Sequence, residues 1–245
     1  MMRSVVMLLA LAFIATGCSD LKSLPGKPSP DSAVVPPSKI MDFNLLYKMN
    51  CAGCHGAEGK GAAAIGLGDP VYLAIADDAT ISRVIANGVR GTAMPAFAQS
   101  AGGMLTTEQI DAIVTGLRSH WARPDILRGE NPPPYSTQTH GDAMRGANVF
   151  AVYCASCHGA GGRGGPKASS IVDASYLALV SDQSLRTNVI AGRPDLGAPD
   201  WRRNVPGKPL SPEDVTDVVA WLAAQRREFP GQPYASARRQ EGGLQ

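Results

Sequence analysis

Beyond its first residues, this 245-residue chain has no long apolar run. No later stretch reaches the ~20 apolar residues that a membrane-spanning helix needs. Charge of one sign is missing as well: 23 basic and 21 acidic side chains leave a formal net charge of +2. Removing residues 1–17, whose only charge is Arg3, brings this to about +1, which gives no support for nucleic acid as a partner. The period-2 alternation of half-buried strands is absent too, which removes the βαβ setting of a thioredoxin-like thiol pair. Cysteine is scarce, with five in the chain, and methionine stops at Met144. What is present in ordinary amount is hydrophobic side chain, 44% of residues. A chain of this length has room for two small domains with cores of their own.

The N-terminus reads as an export signal. Arg3 supplies a positive start, and the apolar run from Val5 to Ile14 is too short to span a bilayer. It ends in "ATGC", which resembles the lipobox of bacterial lipoproteins. The resemblance implies cleavage after residue 17 and acylation of Cys18, holding the protein on the periplasmic side of a bacterial membrane. Several acyl chains anchor stably, at roughly 0.8 kcal/mol per buried methylene. Residues 18–40, rich in Pro and Ser, read as an extended tether. A second Pro-rich stretch, residues 123–141, divides the remainder into domains at 41–122 and 142–229, followed by a polar, disordered tail at 230–245.

Those two domains repeat each other. "CAGCH" at 51–55 returns as "CASCH" at 154–158, and "DPVYLA" at 69–74 returns as "DASYLA" at 173–178. Gly88, Pro95 and Phe97 correspond to Gly192, Pro199 and Trp201 without a gap. Each copy ends in an amphipathic helix: Ile110, Ile113, Val114 and Leu117 share one face in the first, and Val215, Val218, Val219 and Leu222 in the second. Thr106 with Gln109 predicts a capping box, and Ser211–Pro212 an N-cap with proline at the first helical position. Short helices lead into each CxxCH, from about Asp42 and Asp142, and a middle helix starts at Thr80 and Ser184. The expected fold is all-α, with two tandem small domains whose apolar cores are slight for their length, so that something else fills the middle.

C-x-x-C-H is the attachment sequence for c-type haem. Two thiols on one helical turn can add to the two vinyl groups while the next histidine faces the iron. Zinc fits poorly, because the pairs lie far apart and each carries its own histidine. With "CAGCH", "CASCH", the downstream "MPAF" of the first copy and the capped last helix of both, the chain resembles the class I cytochrome c family twice over, across most of residues 41–228. The resemblance implies two covalently bound haem c groups, held by Cys51, Cys54 and His55 and by Cys154, Cys157 and His158. It further implies Met94 as the distal ligand of the first; Met104 reads as a surface or packing residue.

The second copy departs from the family, because Met94 falls on Ala198, which offers no donor. In the family, stretches of the "GRPDLGxPDW" kind look as though they carry methionine at x. Four alternatives stand: an open or water-filled distal position, Lys208, His140, or His120 reaching across from the first copy. Arg90, Arg193, Arg202 and Arg203 are either propionate partners or exposed arginines. The glycine-rich "GAGGRGGPK" lacks the order of a phosphate loop and reads as a haem-edge loop. The expected function is single-electron transfer between respiratory partners such as a quinol:cytochrome c reductase and a terminal oxidase, including as a fixed subunit of such a complex. The alternative is a peroxidase or gas sensor using an open second iron.

Overall fold

In a computed structural model of the protein, residues 34–228 and 230 are described. Cys18, the expected signal segment, most of the tether and the C-terminal tail lie outside the described residues.

Ten α-helices and no β-strand occur among the described residues; the extended backbone amounts to two isolated bridges. The all-α expectation is therefore borne out. In the first half the helices are α1 (Phe43–Asn50), α2 (Ala52–His55), α3 (Pro70–Ile75), α4 (Asp78–Asn87) and α5 (Thr107–Trp121). The second half runs through the same order with α6 (Ala143–Tyr153), α7 (Ala155–His158), α8 (Ala174–Leu179), α9 (Asp182–Ala191) and α10 (Pro212–Ala223).

Side-chain caps start these helices. Asp42 and Asp142 cap α1 and α6, and Asp69 and Asp173 cap α3 and α8. Thr106–Gln109 and Ser211–Asp214 form full capping boxes at α5 and α10. The middle helices begin earlier than Thr80 and Ser184. Asp77 and Ser181 are the caps, and Thr80 and Ser184 supply the backbone N–H groups that those caps accept. A side-chain oxygen at the N-cap reaches the N–H three residues on, so the cap lies upstream of the residue it satisfies.

The apolar faces of α5 and α10 are buried as their spacing predicts. In each half the last helix crosses the first, and a glycine lets the two approach closely. A Cβ on Gly116 of α5 would lie 2.0 Å from the Phe43 ring of α1. In the second half the glycine sits on the other helix: a Cβ on Gly146 of α6 would lie 2.0 Å from the Asp217 carbonyl oxygen and 2.8 Å from Trp221 Cβ. The glycine has changed helices between the halves.

The largest apolar cluster ignores the boundary between the halves. It joins Phe43, Tyr47, Leu73, Ile113 and Leu117 to Tyr153, Ile190, Trp201 and Val215. A separate cluster belonging to the second half contains four buried residues, Leu177, Leu185, Val219 and Leu222. The Pro-rich linker 123–141 is docked on the second half. Pro133 is fully buried, Arg186 Nε donates to the Pro134 carbonyl at 3.0 Å, and Gln183 Nε2 donates to the Tyr135 carbonyl at 2.7 Å. The described residues from Ile40 onward form one compact unit.

Candidate haem sites

Each CxxCH occupies one helical turn, α2 or α7, entered through a cysteine that ends the preceding helix. That turn is followed by a loop that folds back on it. Gly61 N–H donates to the His55 carbonyl at 2.9 Å and Gly164 N–H to the His158 carbonyl at 2.8 Å. The return brings a backbone carbonyl onto each imidazole. His55 Nδ1 lies 2.7 Å from the Ile65 oxygen, ten residues on, and His158 Nδ1 lies 3.2 Å from the Ser169 oxygen, eleven residues on. A carbonyl only accepts, so Nδ1 must carry the proton, and the Nε2 lone pair is left free to bind a metal. These carbonyl partners were not foreseen in the sequence. Only their near-constant distance from the histidine marks them, because any residue type supplies a carbonyl.

The two sites differ in cover. His55 is 9% exposed, while His158 is half-buried. Burial, opposed by the Ile65 hydrogen bond and assisted by the nearby Arg193 charge, lowers the His55 pKa from its ordinary value. The imidazole is thus held neutral, the form that ligates.

Cys51, Cys54, Cys154 and Cys157 are unbridged. Burial pushes Cys51 up to about 11, and burial together with Cys157 does the same for Cys154. Thiols held protonated in this way are the reverse of a redox-active pair, which needs an accessible thiolate. Among the described residues no three His, Cys, Asp or Glu side chains gather as an ion site. Two free thiols and one oriented imidazole therefore suit a group that brings its own equatorial donors, and the residues fit haem better than a bare ion.

The distal loops of the two halves have one backbone design. Val89 N–H donates to the Met94 carbonyl at 3.1 Å, and Arg193 N–H donates to the Ala198 carbonyl at 3.0 Å. Gly88, with φ +66°, packs on Met94 and Pro95 so closely that a Cβ would lie 2.5 Å from the Pro95 backbone; Gly192, with φ +77°, packs on Ala198 and Pro199 at 2.6 Å. Only glycine adopts this conformation while allowing that approach. Ala198 thus stands in the backbone position of Met94. Met94 is half-buried, and Met104 is 80% exposed.

Of the other distal candidates, Lys208 and His120 have contacts of their own, and His140 is exposed. Lys208 is exposed, with Nζ 5.5 Å from the centroid of the Tyr153 ring. His140 is exposed next to Gly141, where a Cβ would lie 2.3 Å from the Thr216 carbonyl oxygen. His120 packs on the Phe43 ring at 4.6 Å, and its Nδ1 lies 2.9 Å from the Gly116 carbonyl of its own helix. Arg193 and Arg202 are committed to Asp195 and Asp200 at 2.7 and 2.8 Å, whereas Arg90 and Arg203 are exposed. The glycine-rich segment after His158 includes a short 3-10 turn, Ala160–Gly162.

Short helices wrapped around histidines that their own loops orient, each preceded by two free thiols, define a c-type cytochrome. The family described as cytochrome c oxidase, cbb3-type, subunit III matches residues 39–115 and again 141–222, and the chain belongs to it. It is accordingly an electron-transfer cytochrome with covalently bound haem c. The chain is similar to the cytochrome bc1 complex cytochrome c subunit of Mycobacterium tuberculosis, 26% identical over 231 residues that cover 92% of this chain and 78% of the relative. It is also similar to the cbb3-type cytochrome c oxidase subunit CcoP of Azospirillum sp., 30% identical over 177 residues, 65% of this chain and 54% of the relative. The FixP subunit of Sinorhizobium medicae is 31% identical over 154 residues, 57% of this chain and 46% of the relative. The chain thus spans about half the length of these oxidase subunits.

Proposed function

We propose that the protein is an exported dihaem cytochrome c, tethered to the membrane through Cys18 and passing single electrons between respiratory complexes on the periplasmic side. Two haem domains, residues 41–122 and 142–229, are joined by segment 123–141. Cys51 and Cys54 hold the first haem and Cys154 and Cys157 the second, with His55 and His158 as proximal ligands and Met94 as the distal ligand of the first. Its partners are a quinol-oxidising complex or a terminal oxidase, in keeping with relatives named as subunits of both kinds.

The observation that carries this reading is the pairing of each histidine Nδ1 with a loop carbonyl. Bound haem supplies a reversible one-electron couple, and thioether ligation raises its potential. The chain's own part is to key each imidazole, offer the thioether, and hold the groups in one rigid frame so that little reorganises as charge arrives. At the second site Ala198 provides no donor, so we assign an open distal position there, ahead of Lys208 or His140.

The deciding experiment is CO binding to the reduced protein with low-temperature EPR of the oxidised form, after covalent haem is counted by mass. Two haems, one binding CO and high-spin when ferric, support the assignment. Two low-spin haems indifferent to CO keep the electron carrier and replace the open site with an internal ligand, which Lys208→Ala and His140→Ala would identify. Peroxide turnover far above that of free haem favours a peroxidase.

A further inference from the structure

The second half reaches into the first at one place beside His55. Arg193 leaves the end of α9, and its backbone pairs in both directions with Ala198, each N–H···O at 3.0 Å. Its guanidinium crosses to the first half, where Nη2 donates to the Ala62 carbonyl at 2.9 Å. The same side chain forks onto Asp195, Nε to Oδ1 at 2.9 Å and Nη2 to Oδ2 at 2.7 Å. Asp195 in turn lies against the same loop: a Cβ on Gly61 would sit 2.7 Å from its Oδ2. Both side chains are well covered, 14% and 15% exposed. Beside them is a cleft of ≈ 340 Å³ lined by Lys60, Ile65 and Asp69 from the first half and Gly192, Arg193 and Asp195 from the second.

The loop so gripped runs from His55 to Ile65, and thus connects the proximal histidine to the carbonyl that orients it. The first half makes no reciprocal contact of this kind, because the backbone counterpart of Arg193 is Val89. The strap is one-sided, and the histidine it serves is the more buried, with the shorter Nδ1 contact.

We propose that the Arg193–Asp195 pair, carried on the distal loop of the second half, holds the proximal loop of the first haem site and tunes that site's redox equilibrium by charge. A covered pair is weakly screened, so both charges act on the site. Gain of one electron lowers the positive charge at the iron, so the cation favours the reduced form and the carboxylate the oxidised form. Arg193 is a positioning residue in this scheme, since it touches the loop and not the iron.

The experiment is potentiometric titration of the full-length holoprotein and four variants, one of which, Met94→Ala, identifies the first-site component as the one it displaces. Arg193→Gln should shift the ferric-to-ferrous ratio of that component about threefold toward ferric, ~30 mV down at 59 mV per decade. Asp195→Asn should move it by a similar factor in the opposite direction, and Arg193→Lys should restore most of the wild-type value. Both single variants break the same strap, so loosening alone would move them the same way. A same-sign shift, or none, overturns the proposal. Should Arg193→Gln not accumulate, Asp195→Asn decides: a rise supports it, and a fall or no change overturns it. The inference rests on haem at the first CxxCH. A wild-type protein whose 51–55 peptide carries no haem overturns both readings, whereas normal two-haem titration with unmoved variants overturns only this one.

Discussion

At the scale of single residues, the proposed difference in distal ligation between the two sites comes down to positions 94 and 198. Each loop shares the N–H···O bond onto the carbonyl of position 94 or 198 and packs on a glycine at the same place, although the N–H of Met94 goes to Thr92 Oγ1 and that of Ala198 to the Arg193 carbonyl, so the second loop brings position 198 close to the place that Met94 holds in the first. Ala198→Met should therefore supply a thioether without rebuilding the loop. The expected result is a second haem that becomes low-spin, loses CO binding and rises in potential, as thioether ligation dictates. EPR and CO titration of the variant check this directly. A variant that stays high-spin and still binds CO would show that the loop does not reach the iron. Met94→Ala should do the reverse at the first site, opening it to CO. The proposed histidine and thiol set of each site is marked in the sequence by CxxCH, because covalent haem attachment would demand those residue types at that spacing. The carbonyls that orient the imidazoles could not be, since a backbone oxygen has no residue identity.

At the scale of elements, the crossing of first and last helices shows how one packing problem has two solutions. The Phe43 ring lies over Gly116 in one half, and the α10 backbone at Asp217 with the Cβ of Trp221 lies over Gly146 in the other. Gly146→Ala would press a methyl group onto the backbone of α10, which cannot step aside as a flexible side chain can. Overpacking of this kind costs about 1–3 kcal/mol, and each kcal/mol lowers Tm by roughly 2–4 °C in a chain of this size. Thermal unfolding followed by circular dichroism measures it, and an unchanged Tm would mean that the helices are farther apart than described. The same crossing contains a buried carboxylate. Asp217 accepts from Arg145 Nε at 2.7 Å and from the Asp142 N–H at 2.7 Å. Burial pulls its pKa upward, but these hydrogen bonds and the Arg145 charge outweigh it, and the net shift is downward. A depressed carboxylate pKa contributes stability above its unfolded value, about 3.9, and that stability is lost as pH falls through the folded value. Tm should therefore drop more steeply below about pH 4 in the wild type than in Asp217→Asn, whose Tm is already lower at neutral pH. The periodicity of α5 and α10 was plain in the sequence because burial selects apolar residues at a fixed spacing. The starts of α4 and α9 were misplaced because Thr80 and Ser184, themselves good capping residues, sit three positions inside the helices whose first N–H groups Asp77 and Ser181 accept.

At the scale of the whole molecule, the repeat predicts two tandem domains joined by a Pro-rich linker but says nothing of how they meet, and the structure supplies that contact. Proline content identifies segment 123–141 as a connection, but composition does not say which of its carbonyls find donors. Arg186 and Gln183 take two of them, and Arg202 Nη1 donates to a third, the Ile126 carbonyl, at 3.2 Å. With Tyr153, Ile190, Trp201 and Val215 built into the same apolar cluster as Tyr47, Leu73 and Ile113, the halves are joined by packing as well as by covalent chain. Residues 136–139 are exposed, so a protease site placed there can be cut without disturbing those contacts. After cleavage, both fragments of the haem-loaded protein should elute together from a gel-filtration column in native buffer and separate only in denaturant. They should also melt in one calorimetric transition, because neither fragment keeps a complete core alone. Separation of the nicked fragments under native conditions would mean independent domains. It would also remove the frame on which a side chain of the second half can act at the first haem, since the Arg193 contact to Ala62 persists only while the two halves remain one body.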